Sequence, residues 1–292
     1  MRRVRSARRF LAFLLEVCVF RNAAIAALVL GLSVGATALP AVADSNSLTV
    51  GGSTALLPLA KDAAGEYQKA HSEVSITVNG GGSGSGLSGA ANKSLDIGDS
   101  DILAGPSFPM LVDNKVAVIG FGIITNPDVG VSGLKKSQVH DIFAGKITNW
   151  KQVGGPDQTI VVVNRAVGSG TRVVFEKTFM GADKPIEGVS LPSSGTVAQF
   201  IVQTPYSISY DAFSGTKGQP ITELAIDGVA ATDENILTGK YPFWSYEHMF
   251  TVGPAEGLAK AFIDYVRGDT ATIHNDHFIK LGDMKVPMQS DR

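Results

Sequence analysis

The chain has 292 residues, 44% hydrophobic and 18% charged, with 33 glycines, a single cysteine and a formal charge of −2. These proportions exclude a disordered chain and a disulfide-stapled scaffold, and the length suits two ordinary domains. The acidic balance argues against broad contact with nucleic acid or an anionic membrane.

Residues 1–43 form a separate composition. Arg2, Arg3, Arg5, Arg8, Arg9 and Arg21, opposed only by Glu16, precede an apolar run from Ala23 to Ala38 and then Ala41-Val42-Ala43. A basic start, an apolar middle and an A-x-A end predict a cleaved signal peptide over 1–43, hence a periplasmic or secreted protein. The apolar stretch Phe10 to Phe20 leaves an uncleaved anchor as the other reading, and Arg8-Arg9-Phe10-Leu11 is a weak twin-arginine match. Cys18 follows Glu16 and Val17, where a lipoprotein signal needs small residues, so lipidation is not expected. Beyond residue 43 there are 19 basic and 26 acidic residues, a charge of about −7, so any anion must be held by local donors.

Leu48 to Val50 reads as a strand entering Gly51-Gly52-Ser53-Thr54, and Leu56, Leu59, Ala60, Ala63 and Tyr67 recur at helical spacing. Val74 to Val78 predicts a strand running into 80–86, rich in Gly and Ser, with a short helix from Leu87 to Lys93. A turn is expected at Asp99-Ser100-Asp101 and a buried strand at Val116 to Thr125. Val139, Ile142 and Phe143 share a helix face ended by Gly145, and Ile160 to Val163 is a β-branched strand. Gly168-Ser169-Gly170-Thr171 opens a helix over Arg172 to Met180, stopped by Gly181. Ser194 is expected to cap a helix to Gln203, Ile208 to Tyr210 to form a strand, and Leu258, Ala261, Phe262 and Tyr265 to mark a last helix. Alternation of this kind predicts α/β domains with largely parallel sheets, whose ligands sit where strands feed helix N-termini.

Three such junctions, 51–54, 80–86 and 168–171, are rich in Gly, Ser and Thr. Helix N-termini present unpaired amides and partial positive charge, glycine admits an oxyanion to them, and hydroxyls add lateral donors. Each loop alone is read as readily as a plain cap or turn. Arg165, just ahead of Gly168-Ser169-Gly170-Thr171, adds a charge-assisted fork. Gly84, Gly86 and Gly89 match a dinucleotide fingerprint formally, but their strand is not the first of its sheet and the protein reads as exported.

Taken together, Gly52-Ser53-Thr54-Ala55, Gly82-Ser83-Gly84-Ser85-Gly86, Asp96-Ile97-Gly98-Asp99-Ser100-Asp101, Asp141 to Trp150, Val153-Gly154-Gly155-Pro156 and Gly168 to Arg172 resemble the phosphate-binding proteins of phosphate ABC transporters. Gly145 to Trp150 is the most specific segment, and the likeness runs from about 48 to 267. The resemblance implies a two-domain periplasmic binding protein fold of type II, two α/β lobes joined by two crossing strands with the ligand in the cleft. Lobe I would be 44–119 plus 246–292 and lobe II 120–245, with crossings near Val118 to Phe121 and Tyr241 to Tyr246. It further implies that Thr54, Ala55, Ser83 and Asp101 line one wall and Arg165, Ser169, Gly170 and Thr171 the other. Asp101 would accept a hydrogen bond from the P–OH that phosphate carries and sulfate lacks, and would meet sulfate only with charge repulsion.

Many family members carry an acid where this chain has Val167, two residues past the arginine, so the orientation of Arg165 is open here and Arg172 is a candidate to share or replace its role. Leu103 to Lys115 is short, and Trp244 stands where some relatives have a basic residue. The chain has no P-loop and no G-x-S-x-G elbow, and His274 with His277 lacks further metal ligands. The expected function is binding of inorganic phosphate for an ABC permease by a monomer, without catalysis, metal or other cofactor and without a nucleic-acid partner. The alternatives are another oxyanion, a secreted phosphate sensor or adhesin, and an extracytoplasmic phosphatase.

Overall fold

The computed structural model describes residues 46–286, so the expected signal peptide lies outside the described residues. In chain order the first elements are β1 (Ser47–Gly52), α1 (Leu57–Ala70), β2 (Ser75–Gly80), α2 (Ser83–Ala91), β3 (Ile97–Ser100) and β4 (Leu111–Thr125). Then follow β5 (Gly133–Leu134), α3 (Lys136–Phe143), β6 (Val161–Arg165), α4 (Gly170–Phe175), β7 (Val189–Leu191), α5 (Ser194–Gln203) and β8 (Ser207–Ala212). The last are α6 (Phe213–Thr216), β9 (Thr222–Ile226), α7 (Asp233–Leu237), β10 (Trp244–Val252), α8 (Gly257–Gly268), α9 (Thr270–Asn275) and β11 (Phe278–Ile279).

The strands run in the order β2-β1-β3-β10-β4-β8-β6-β7. Strand β4 is shared: its first part pairs with β10, from Val252↔Leu111 to Trp244↔Gly120, and its second with β8, from Phe121↔Ala212 to Thr125↔Ile208. The partner changes between Gly120 and Phe121. Residues before that point and from β10 build the first sheet, and 121–226 the second.

The expectation of largely parallel sheets needs correction. β1 pairs parallel with β2 and β3, and β6 with β7 and β8, as strand–helix alternation demands. β4, however, runs antiparallel to β8, β9, β10 and β11. The strands that pass between the sheets reverse the chain direction, which local sequence alternation does not record.

Burial explains the long β4. Val116 to Ile119, Phe121, Ile123 and Ile124 are all fully buried, so nearly every position faces packing partners on both sides. In the second sheet Phe175 stacks on Tyr210 at 3.9 Å between ring centroids, with Phe143 4.6 Å from Phe175, which fixes α3 and α4 against β8. Each such buried aromatic contributes on the order of 1.5–3 kcal/mol.

Two local expectations also shift. Asp99 and Ser100 belong to a buried strand, not a turn, because tertiary burial on both sides overrides their turn chemistry. Helix α2 begins at Ser83, four residues before the expected Leu87. Its glycines allow this: a β-carbon on Gly86 would lie 2.3 Å from the Asp99 carbonyl oxygen, so the helix sits against β1 and β3 closer than any side chain permits.

Candidate functional site

Four chain segments that open helices converge between the two sheets. At the end of β1, the Ser53 hydroxyl accepts from the amides of Ala55 and Leu56, both at 3.0 Å, and thereby caps the approach to α1. The same hydroxyl donates to Asp101 Oδ1. Ser83, the first residue of α2, accepts from the Asp101 amide at 3.0 Å, and Ser245 Oγ of β10 donates to the Asp101 carbonyl at 2.7 Å. Asp101, just past β3, is thus held by backbone and side chain at once, and it is 2% exposed.

From the second sheet, Thr171 Oγ1 donates to Asp101 Oδ2 at 2.8 Å. Ser169 is the N-cap of α4, its hydroxyl accepting from the Arg172 amide at 3.3 Å. Gly170 packs tightly against the opposite wall: a β-carbon there would sit 2.3 Å from Ser83 Oγ and 2.9 Å from Asp101 Cβ. The Gly84 amide also donates to the Gly168 carbonyl at 2.9 Å, and Gly168 holds φ +93°, a conformation that favours glycine.

Arg165, the last residue of β6, is 1% exposed. Its Nη2 donates to Thr54 Oγ1 at 2.8 Å, and its Nη1 reaches Ser194 Oγ at 3.1 Å and Asp211 Oδ1 at 3.3 Å. Thr54 Oγ1 also accepts from the Ser194 amide at 3.2 Å. The structure therefore brings Thr54, Ser83, Asp101, Arg165, Gly170 and Thr171 together, with Ala55 and Ser169 buried at the two helix starts beside them. The Ala55 amide is engaged by Ser53 Oγ.

Three residues of this centre were not among the expected ones. Ser53 adjoins Thr54 and was visible in the same Gly-Ser-Thr run. Ser194 reads from sequence as a cap, but Ser193 caps α5, its hydroxyl accepting from the Thr196 amide at 3.2 Å, and Ser194 turns toward Arg165. Asp211 is a lone carboxylate in a strand otherwise buried throughout, and that is the signal that could have found it. Burial pushes its carboxyl above the usual range, while the Arg165 guanidinium pulls it back down.

Asp211 answers the question left by Val167, which is 90% exposed and orients nothing. The counter-charge for Arg165 comes from β8, 46 residues away, rather than from two residues along the chain. Arg172 has a different part. Its Nη1 donates to the Arg165 carbonyl at 2.9 Å and its Nε to Glu176 at 2.8 Å, so it braces the backbone of Arg165.

Chemically, this is a buried guanidinium with hydroxyls and helix-start amides around it, facing a carboxylate that accepts hydrogen bonds. Such a set suits a small oxyanion that still carries a proton. No group of three or more His, Cys, Asp or Glu that could hold a metal ion occurs among the described residues.

Comparison with known proteins agrees. The family model described as a PBP superfamily domain matches residues 37–270. The phosphate-binding protein PstS of Bacillus subtilis (strain 168) is 42% identical over 249 residues, 83% of each chain. The chain belongs to the family of PstS phosphate-binding proteins. Within this phosphate-binding family, PstS of Borreliella burgdorferi is 27% identical over 66% of this chain and 74% of its own. A solved phosphate ABC transporter substrate-binding protein from Clostridium perfringens, with bound phosphate, superposes with a TM-score of 0.76 at 30% identity, covering 81% of this chain and 100% of the other. An ABC-type phosphate transport receptor from Vibrio cholerae gives 0.61 at 25% identity, covering 80% and 99%. The fold is the type II periplasmic binding protein fold of these phosphate-binding proteins.

Proposed function

We propose that this protein binds inorganic phosphate between two lobes outside the cytoplasmic membrane and delivers it to an ABC permease, without changing it chemically. Lobe I is 44–119 with 246–292 and lobe II is 120–245; the change of partner along β4 at Gly120 and Phe121 supports that division. The phosphate ligands are Thr54, Ala55, Ser83, Asp101, Arg165, Ser169, Gly170 and Thr171, to which Ser194 is added. The leader over residues 1–43 directs export, and the protein acts as a monomer that needs no cofactor and binds no nucleic acid.

The observation that carries this reading is the pairing of opposites in one buried centre. Arg165 supplies positive charge for an anion, while Asp101, bonded by Ser53 from one wall and Thr171 from the other, supplies an acceptor. An acceptor carboxylate in an anion site is a cost unless the anion brings a hydrogen to it. Orthophosphate does at neutral pH, and sulfate does not.

Calorimetric titration of the purified protein with phosphate and with sulfate tests the reading. Phosphate is expected to bind ~10⁴-fold more tightly, within the range by which hydrogen-bonding sites reject analogues. Equal affinities would remove the assignment. Hydrolysis of a phosphate ester by the same preparation would move it to the enzyme class.

A further inference from the structure

Two carboxylic acids near the site have no part in the arrangement described so far. Asp99 and Glu247 are fully buried, and among the described residues no N–H or hydroxyl donates to any of their four carboxyl oxygens, while the Glu247 carboxyl lies within hydrogen-bond reach of Asp101. Strand register places them beside Asp101. β10 runs antiparallel to β3 with Met249 opposite Asp99 and His248 opposite Ser100, so the next step along the ladder brings Glu247 level with Asp101. Two residues before Glu247, Ser245 Oγ fixes the Asp101 carbonyl at 2.7 Å.

We propose that Glu247 is a positioning residue which, as a neutral acid, presents its hydrogen to Asp101 and so sets an alkaline limit on phosphate binding. This rests on the phosphate reading above. A buried carboxylate without partners is too costly to ionise. In agreement, burial and the neighbouring Asp101 and Asp99 charges hold the Glu247 carboxyl well above the usual range, and burial and Asp101 do the same to Asp99. The groups facing Glu247 are therefore both acidic. Opposite it β4 presents Ala117, and α2 carries no titratable residue. Along β10, Tyr246 lies under the Lys115 ammonium at 4.1 Å and His248 Nδ1 is bonded to Asp113 at 2.7 Å.

The consequence concerns charge. While Glu247 keeps its proton, it adds no negative charge beside Asp101, and phosphate presents its P–OH to the Asp101 carboxyl. When Glu247 loses its proton, a second negative charge stands beside Asp101 and repels the phosphate anion. That repulsion weakens binding.

The test compares wild type with Glu247→Gln, which keeps the volume and a donor but cannot ionise. Phosphate Kd is measured for both between pH 6 and about 9.5, and the ratio is taken at each pH so that the titration of phosphate itself cancels. Near pH 6 the ratio is expected to be close to one. Toward pH 9.5 the wild type is expected to weaken at least tenfold relative to the variant, since burial raises the Glu247 carboxyl and alkali removes its proton. A ratio that stays flat overturns the proposal while leaving phosphate binding intact; failure of the wild type to bind phosphate at any pH overturns the underlying reading instead. If Glu247→Gln does not fold, 13C NMR of Glu-labelled wild type decides. One side-chain carboxyl must keep the chemical shift of the protonated form at pH 7, and its absence overturns the proposal.

Discussion

Arg165 Nη2 donates to Thr54 Oγ1 at 2.8 Å, a bond between residues 111 positions apart that joins the end of β6 to the start of α1. It ties a charged group of one sheet to a neutral hydroxyl of the other, so the guanidinium is oriented but not neutralised from that side. The two arginines beside the glycine loop then separate by role. Arg165→Ala is expected to lower phosphate affinity at least ~100-fold, in line with the loss of a buried charged hydrogen-bonding partner. Arg172→Ala is expected to cost under about tenfold, since Arg172 touches the centre only through the Arg165 carbonyl and otherwise pairs with Glu176. Titration calorimetry of both variants checks the order, and the reverse order would assign the anion to Arg172.

Asp101→Asn replaces an acceptor by a group that also donates. The phosphate-to-sulfate ratio is expected to fall by an order of magnitude or more, chiefly through better sulfate binding. An unchanged ratio would take Asp101 out of ligand discrimination.

Gly170→Ala places a methyl group where Ser83 Oγ and Asp101 Cβ stand 2.3 and 2.9 Å away. The backbone contact of α4 with the opposite wall is then blocked. Phosphate affinity is expected to drop by ~100-fold, with a circular dichroism spectrum like that of the wild type. Wild-type affinity would mean that the walls need not approach this closely.

Asp211→Asn leaves the buried Arg165 guanidinium without its carboxylate. Breaking one partner out of a buried pair costs about 3–5 kcal/mol. Urea unfolding without phosphate is expected to show a loss near the lower figure, and added phosphate to recover part of it by supplying an anion to Arg165. A loss below about 1 kcal/mol would show that the pair contributes little.

The dependence of stability on pH has a defined sign. Asp99 and Glu247 have carboxyls raised well above their ordinary values, chiefly by burial, so between about pH 4 and their folded-state values the native chain binds more protons than the unfolded one. Stability then falls as pH rises through the neutral range, by up to about 1.4 kcal/mol per pH unit for each such group. Lowered acids such as Glu176, held down by Lys184 and Arg172 against the opposing effect of burial, act in the opposite sense; their contribution is lost only in acid. Urea unfolding from pH 5 to 8 is expected to show a declining curve, flattened in Asp99→Asn. A curve rising across that window would contradict the assignment of neutral buried acids.

Much of the centre was legible because its donors are local. Glycine, serine and threonine at a strand-to-helix junction carry their chemistry in adjacent residues, so the junctions 51–54, 80–86 and 168–171 could be named from the chain, and the resemblance to phosphate-binding proteins then singled out Ser83, Ser169, Gly170 and Thr171 within them. What escaped depends on distance. Asp211 meets Arg165 across 46 residues, so a carboxylate in an apolar strand flags position 211 but does not name its partner. Asp99 and Ser100 look like a turn because their polarity suits solvent, yet the structure buries them in β3, where Asp99 faces other acids. Antiparallel β10 was visible only as a crossing near Tyr241 to Tyr246, and its length to Val252 follows from pairing with β4 rather than from its own pattern.

Strand β4 has a mechanical consequence. Because it hands over from β10 to β8 between Gly120 and Phe121 without a break in the chain, neither sheet can slide along the other without tearing hydrogen bonds in both. Relative movement is left to torsion about a short axle at Gly120 and its last partner, Trp244. Any parting of Thr54 from Arg165, bonded at 2.8 Å here, would then follow from one angle, and on the phosphate-binding proposal substitutions at this axle are expected to retune the rate at which an anion enters and leaves without touching any group that contacts it.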